Sequence, residues 1–164
     1  MLIKSFGLFW RRDEVEWNPG KGRPFRLLGH QGENLPGVRL SNFREQKGIY
    51  ILYGNHGAAY VGLTENALGI RLKEHLSDGH AHEWDRFSWF GFRAVLEGKE
   101  NGFCRLKEMA KIAIGSPSSV ITDVEALLIR AMGLSNINQM RFTEADEWKQ
   151  VNLDEIEKFT NKVG

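Results

Sequence analysis

Two short runs, Gly48 to Tyr53 and Ala58 to Leu63, constrain this chain more than any other stretch. Both are apolar and rich in residues that favour strands. Between them stands Gly54-Asn55-His56-Gly57, whose glycines and asparagine tolerate the backbone angles of a tight connection. The pattern predicts a β-hairpin. It brings the phenol of Gly48-Ile49-Tyr50 into one neighbourhood with that of Tyr60-Val61-Gly62.

The segments around the hairpin predict the rest of an α+β domain. Thr64-Glu65-Asn66 can cap a helix over about residues 67–76, where Leu68, Leu72 and Leu76 form one apolar stripe, and Asp78-Gly79 ends it. The aromatic run from Phe87 to Leu96 predicts a third strand. Residues 103–114 and 120–132 fit two further helices, stopped by Gly115-Ser116-Pro117 and by Gly133. Residues 143–149 and 153–162 read as two short tail helices, with Thr143 and Asn152 as N-caps. Upstream, Leu2 to Trp10 reads as a strand, residues 18–24 as a loop, Phe25 to Gly29 as a short strand and Ser41 to Gln46 as a turn or brief helix. The expectation is a small, largely antiparallel three-stranded sheet flanked by helices over residues 46–142. An N-terminal extension, 1–45, packs on it, and a helical tail, 143–164, follows.

Composition narrows the chemistry. A single cysteine, Cys104, leaves no intrachain disulfide and no cysteine-rich zinc site. No run reaches the ~18 apolar residues of a membrane span. The first residues lead into Trp10-Arg11-Arg12 with no apolar signal core. The expectation is a soluble, cytoplasmic protein with no membrane partner. Net charge is only +1, but residues 1–47 hold nine Lys/Arg against five Asp/Glu, and residues 143–164 three against six. Arg11, Arg12, Lys21, Arg23 and Arg26 interleave with Trp10 and Trp17. That mixture suits contact with a nucleic-acid backbone, and equally an edge strand with a solvated loop.

Several side chains are chemically pointed. Arg71 and His75, four residues apart, share a helix face that borders the leucine stripe, which fits a cleft wall and also an exposed pair on an amphipathic helix. Lys73 projects from a different side. Glu125 opens Glu125-Ala126-Leu127-Leu128-Ile129 in the most apolar helix. A carboxylate there needs a partner or a hard cation such as Mg²⁺, or it joins Asp123 in stabilising the helix N-terminus. His80 and His82, near Asp78 and Asp85, fit a polar loop better than a metal site. Trp84, Phe87, Trp89, Phe90 and Phe92 are read as core.

In this order, Gly-Ile-Tyr, Tyr-Val-Gly, Arg71-x-x-x-His75, the Glu125 helix and then an asparagine, the chain resembles the GIY-YIG nuclease superfamily over roughly residues 46–140. Val61 stands where that family usually has isoleucine. The resemblance implies a metal-dependent endonuclease that hydrolyses DNA phosphodiesters and leaves a 5′ phosphate. By that resemblance Tyr50 is the general base or orients the water, with His75 as its base. Tyr60 holds the phosphate or water, and Arg71 clamps the phosphate. Glu125 is the sole protein ligand of one Mg²⁺ or Mn²⁺. Asn138, or else Asn136, orients the site. DNA, possibly branched, or RNA is the expected partner, contacted also by Lys73 and the N-terminal basic residues, and a homodimer is compatible. The alternatives are a binding or recruiting module on the same fold with little catalysis, and an RNA-directed or defence nuclease.

Overall fold

In the computed structural model the described residues are 2–33, 37–112, 116–133, 142 and 144–160. Their strands and helices run β1 (Ser5–Arg11), β2 (Leu28–Gln31), β3 (Arg39–Asn42), β4 (Gly48–Gly54), β5 (Gly57–Thr64), α1 (Leu68–Glu74), β6 (Arg86–Gly91), β7 (Val95–Glu100), β8 (Phe103–Leu106), α2 (Pro117–Ala131), β9 (Asp146–Glu147), β10 (Lys149–Gln150) and α3 (Ile156–Thr160). Two five-stranded sheets result, ordered β5-β4-β6-β1-β9 and β10-β2-β3-β8-β7.

The α+β class holds, and the expected hairpin is there: β4 and β5 pair antiparallel with Tyr50 opposite Gly62 and Gly48 opposite Thr64. Its two motif glycines have a steric reason. A Cβ on Gly62 would collide with the Tyr50 ring, and one on Gly48 with the Phe90 carbonyl oxygen. Glycine lets the phenol lie flat across one neighbouring strand and lets β6 approach on the other side.

The three-stranded sheet is corrected to five strands. β5, β4 and β6 form the expected antiparallel set, but β1 pairs antiparallel with β6 and carries β9 on its far side. Strand β1 of the N-terminal segment is therefore interior to this sheet. A bulge in β1 makes this possible. The register shifts between Gly7 and Trp10, and Phe9 adopts φ 52°. The extra residue flips the two-residue period, so Phe6 and Trp10 face opposite sides despite an even spacing. Phe6 joins the cluster with Ile51, Tyr53 and Phe90, and Trp10 the one with Tyr50, Leu52 and Trp89.

These two clusters decide where the helices sit. Leu68 and Leu72 of α1 pack with Tyr50 and Leu52 on one face of the sheet. Ala126 and Ala131 of α2 pack with Ile51 and Tyr53 on the other. The Tyr53 hydroxyl donates to the Ala131 carbonyl at 2.9 Å, which fixes the end of α2 to that face. No side chain caps α1: its first N–H groups, on Leu68 and Gly69, donate to the carbonyls of Gln46 (2.8 Å) and Arg44 (2.9 Å), so residues 44–46 replace the expected Thr64-Glu65-Asn66 cap. α2 starts earlier than expected, with Ser116 as N-cap and Pro117 in the first turn.

Other sequence expectations change too. Phe103–Leu106 is a strand in place of a helix, because Cys104 pairs with Ser41 and Lys99 across two neighbours. Residues 146–147 and 149–150 are two-residue strands in place of a helix, while the second tail helix is there as a 3₁₀ turn over Leu153–Glu155, capped by Asn152, that runs into α3, whose Phe159 packs on Leu28, Leu40 and Val151. No described helix is long and apolar enough to cross a membrane.

Candidate functional site

The face of the sheet under α1 gathers four of the expected residues. Tyr50 rises from β4, Tyr60 from β5 two strand positions from Gly62, and Arg71 and His75 from the last turns of α1. Tyr50 is fully buried and His75 is 1 % exposed. A buried imidazole and a buried phenol must satisfy each other or lose their hydrogen bonds to water, and they do: Tyr50 Oη lies 2.9 Å from His75 Nε2.

The other ring nitrogen has a partner that the sequence placed in the helix stop and the polar loop after it. His75 Nδ1 lies 2.6 Å from Asp78 Oδ2, and Asp78 Oδ1 accepts from the His80 N–H at 2.8 Å. A carboxylate on Nδ1 keeps the proton there and leaves Nε2 as an acceptor for the phenol. The result is a Tyr50–His75–Asp78 chain in which a proton leaving the phenol has a defined destination. Against a desolvation cost that would raise it, the bonds from His80 and His75 hold the Asp78 carboxyl below the usual carboxylate range. An aspartate three residues past a helical histidine was a signal available in the sequence.

Tyr60 covers the inner pair. Its ring stacks on Tyr50 at 6.1 Å between centroids and tilts against His75 at 4.8 Å and His80 at 4.9 Å. Arg71 pairs with Glu74 one turn on, which holds its guanidinium above the ordinary value. Burial pushes the Tyr50 phenol up, and the neighbouring Arg71 charge acts in the opposite sense without reversing it. Tyr53 is raised as well, by burial. A raised folded-state value means that the folded chain keeps a proton the unfolded chain has lost. The stability that these two phenols contribute is thus fully present below pH 10.0, the ordinary value, and is lost as pH rises through the folded values. Of the three tyrosines, at least two are expected to ionise only above pH 10.0 in an ultraviolet titration, together with loss of folded circular dichroism. Free ionisation of all three in the folded chain at that pH contradicts the burial argument.

One expected member, Glu125, is not part of this cluster. Glu125 belongs to α2, across the sheet from Tyr50, and it is exposed beside Ile121, Val124 and Leu128. The buried acid of that helix is Asp123, whose Oδ2 accepts from the Leu2 N–H at 2.8 Å and the Ile3 N–H at 3.1 Å. Its expected burial is corrected: of its apolar neighbours only Ala126 and Ile129 are buried; Val124, Leu128 and Glu125 itself are exposed, so this carboxylate has no buried charge to be offset. Asn138 and Asn136 lie outside the described residues.

Glu125, the one ligand that the resemblance implies for Mg²⁺ or Mn²⁺, is not on the Tyr50 face. The carboxylates near the phenols are already engaged, Glu74 by Arg71, Asp78 by His75 and Glu83 by His80. Among the described residues no group of three or more His, Cys, Asp or Glu side chains could hold an ion.

The basic residues divide. Arg12 is a strut: Nη1 donates to the carbonyls of Ala81 and Trp84, and the guanidinium lies 4.6 Å over the Trp84 ring. It ties β1 to the loop that carries Asp78 and His80. Lys73 reaches the Trp17 carbonyl at 3.4 Å and the Phe25 ring at 5.2 Å, and Arg23 donates to the Pro19 carbonyl. Arg11 pairs with Asp13, Lys21 is exposed and Arg26 is half-buried. Arg11 and Arg12 line, with Trp17, Leu76 and Arg86, an open groove of about 440 Å³ beside the end of α1.

No protein-family model, curated protein or solved structure matches the chain.

Proposed function

We propose that the chain is an endonuclease of the GIY-YIG kind, cleaving phosphodiester bonds of nucleic acid. The observation that supports it most is the Tyr50–His75–Asp78 chain: a buried phenol bonded at 2.9 Å to an imidazole whose other nitrogen sits 2.6 Å from a carboxylate. A structural tyrosine needs one partner. A tyrosine backed by an oriented imidazole and an anion is equipped to pass a proton.

On this reading Arg71 leaves Glu74 to hold a phosphate oxygen, and its charge offsets the negative charge that grows on the phosphoryl group during attack. Tyr60, on the accessible side, turns aside to admit the substrate and then positions the phosphate. The proton of the attacking water passes through the Tyr50 hydroxyl to His75 Nε2, while Nδ1–H stays on Asp78. The groove lined by Arg11, Trp17 and Arg86 continues from the end of α1 and offers cationic and aromatic surface to the rest of the strand.

Purified protein incubated with single-stranded, duplex and branched DNA and with RNA at one fixed salt concentration, with Mg²⁺, Mn²⁺ or EDTA, is expected to cut at least one of them and leave a 5′ phosphate. Fixed salt matters because phosphate contacts dominate affinity. Tight binding with no cutting under every condition favours a binding or recruiting module instead.

A further inference from the structure

We infer that His80 is the general acid of the same site, protonating the oxygen that leaves when the phosphodiester breaks; the inference rests on the endonuclease reading. His80 is held much as His75 is. Its Nδ1 lies 2.9 Å from Glu83 Oε2, which fixes the ring and leaves Nε2 as the nitrogen presented to a ligand. The two imidazoles differ in depth. His75 is buried against Tyr50, whereas the His80 side chain is 41 % exposed. The Tyr60 ring touches both, at 4.8 Å and 4.9 Å, and the two imidazole centroids are 5.9 Å apart.

Hydrolysis of a phosphodiester needs one proton removed and one supplied. Water forms the new P–O bond and gives its proton through Tyr50 to His75. The old P–O bond breaks with its electron pair on the departing oxygen, which takes the proton from His80 Nε2. Water is thereby added across the bond, and the two histidines have exchanged protonation states. Asp78 and Glu83 stay bound to the two imidazoles and Glu125 lies across the sheet, and among the described residues of this face His80 is the exposed imidazole placed to serve the leaving oxygen. Arg12 supports the placement, since its bonds to the Ala81 and Trp84 carbonyls brace the loop just after His80.

The test compares two leaving groups. One substrate is the nucleic acid that the wild type cuts. The other is an oligonucleotide whose 5′ phosphate carries a p-nitrophenyl ester in place of the upstream nucleotide; p-nitrophenolate departs without a proton. His80→Gln is expected to lose ~10²–10⁴-fold on the first and to fall only a few-fold on the second. Glu83→Gln is expected to show the same asymmetry more weakly, and its fold is checked by circular dichroism beside that of His80→Gln. Equal losses on both substrates, or no loss on either, overturn the general-acid role while leaving the endonuclease reading standing. Failure of the wild type to cleave either substrate overturns both.

Discussion

Tyr50→Phe is expected to lower cleavage by about 10²–10⁴-fold, the range for loss of an acid–base group, while leaving the fold in place. The substitution removes one oxygen from a ring that otherwise stays packed among Leu52, Leu68 and Leu72. What it leaves behind is a buried Nε2 on His75 without its partner, at a cost of about 1–3 kcal/mol in stability. His75→Ala is expected to match it in rate and exceed it in destabilisation, since it also opens a cavity beneath Tyr60 and deprives Asp78 of its ring partner. The double variant Tyr50→Phe/His75→Ala is the sharper measurement. If the two groups form one relay, its loss in kcat is scarcely greater than that of either single change, because residues acting as a unit are strongly non-additive. Losses that multiply would show that phenol and imidazole act separately.

Gly62→Val is expected to destabilise the chain by about 1–3 kcal/mol through overpacking, lowering the melting temperature by roughly 3–10 °C, and also to cut the rate by about 10²-fold. Both effects have one cause. The Tyr50 ring lies on the Gly62 Cα, so any side chain there drives the phenol off its line to His75. Displacing a reacting group by about 1 Å is enough for a loss of that size. Gly98→Ala is the control, because a Cβ at Gly98 meets nothing within 4 Å. A Gly62→Val protein with unchanged melting temperature and rate would mean that the ring does not rest on that strand.

The central hairpin was legible because its signals are local: two β-rich runs, a Gly-Asn turn and a glycine opposite each close neighbour. The clustering of Tyr50, Tyr60, Arg71 and His75 followed from it, since one strand pair and one short helix position all four. The sheet's full width was not legible. Leu2 to Trp10 read as a strand, but its place between β6 and β9 depends on a bulge at Phe9, where a two-residue period is broken and no sequence pattern marks the break. Phe103–Leu106 read as helix because Phe103, Leu106 and Ala110 have helical spacing, yet Cys104 is held by partners 63 residues before it and 5 before it, Ser41 and Lys99. Residues 146–150 are too short for either period to show. Glu125 misled because the apolarity of its neighbours describes the helix, not the direction of one side chain. Asp78 and His80 were weighed only as a metal site with His82 and Asp85, and a polar loop was preferred, because an Asp-Gly after a helix reads first as a stop.

The position of β1 also governs how the chain reaches this structure. An interior strand made of residues 5–11 pairs on one side with residues 86–91 and on the other with residues 146–147. It has no partner until residues 86–91 are available, and the sheet is complete only once residues 146–147 are. Pairings so distant in sequence bear a large loop-closure cost before they return any contact energy. The chain is accordingly expected among the slower-folding small proteins, on the scale of milliseconds to seconds, with the β4–β5 hairpin formed well before the strand that comes first.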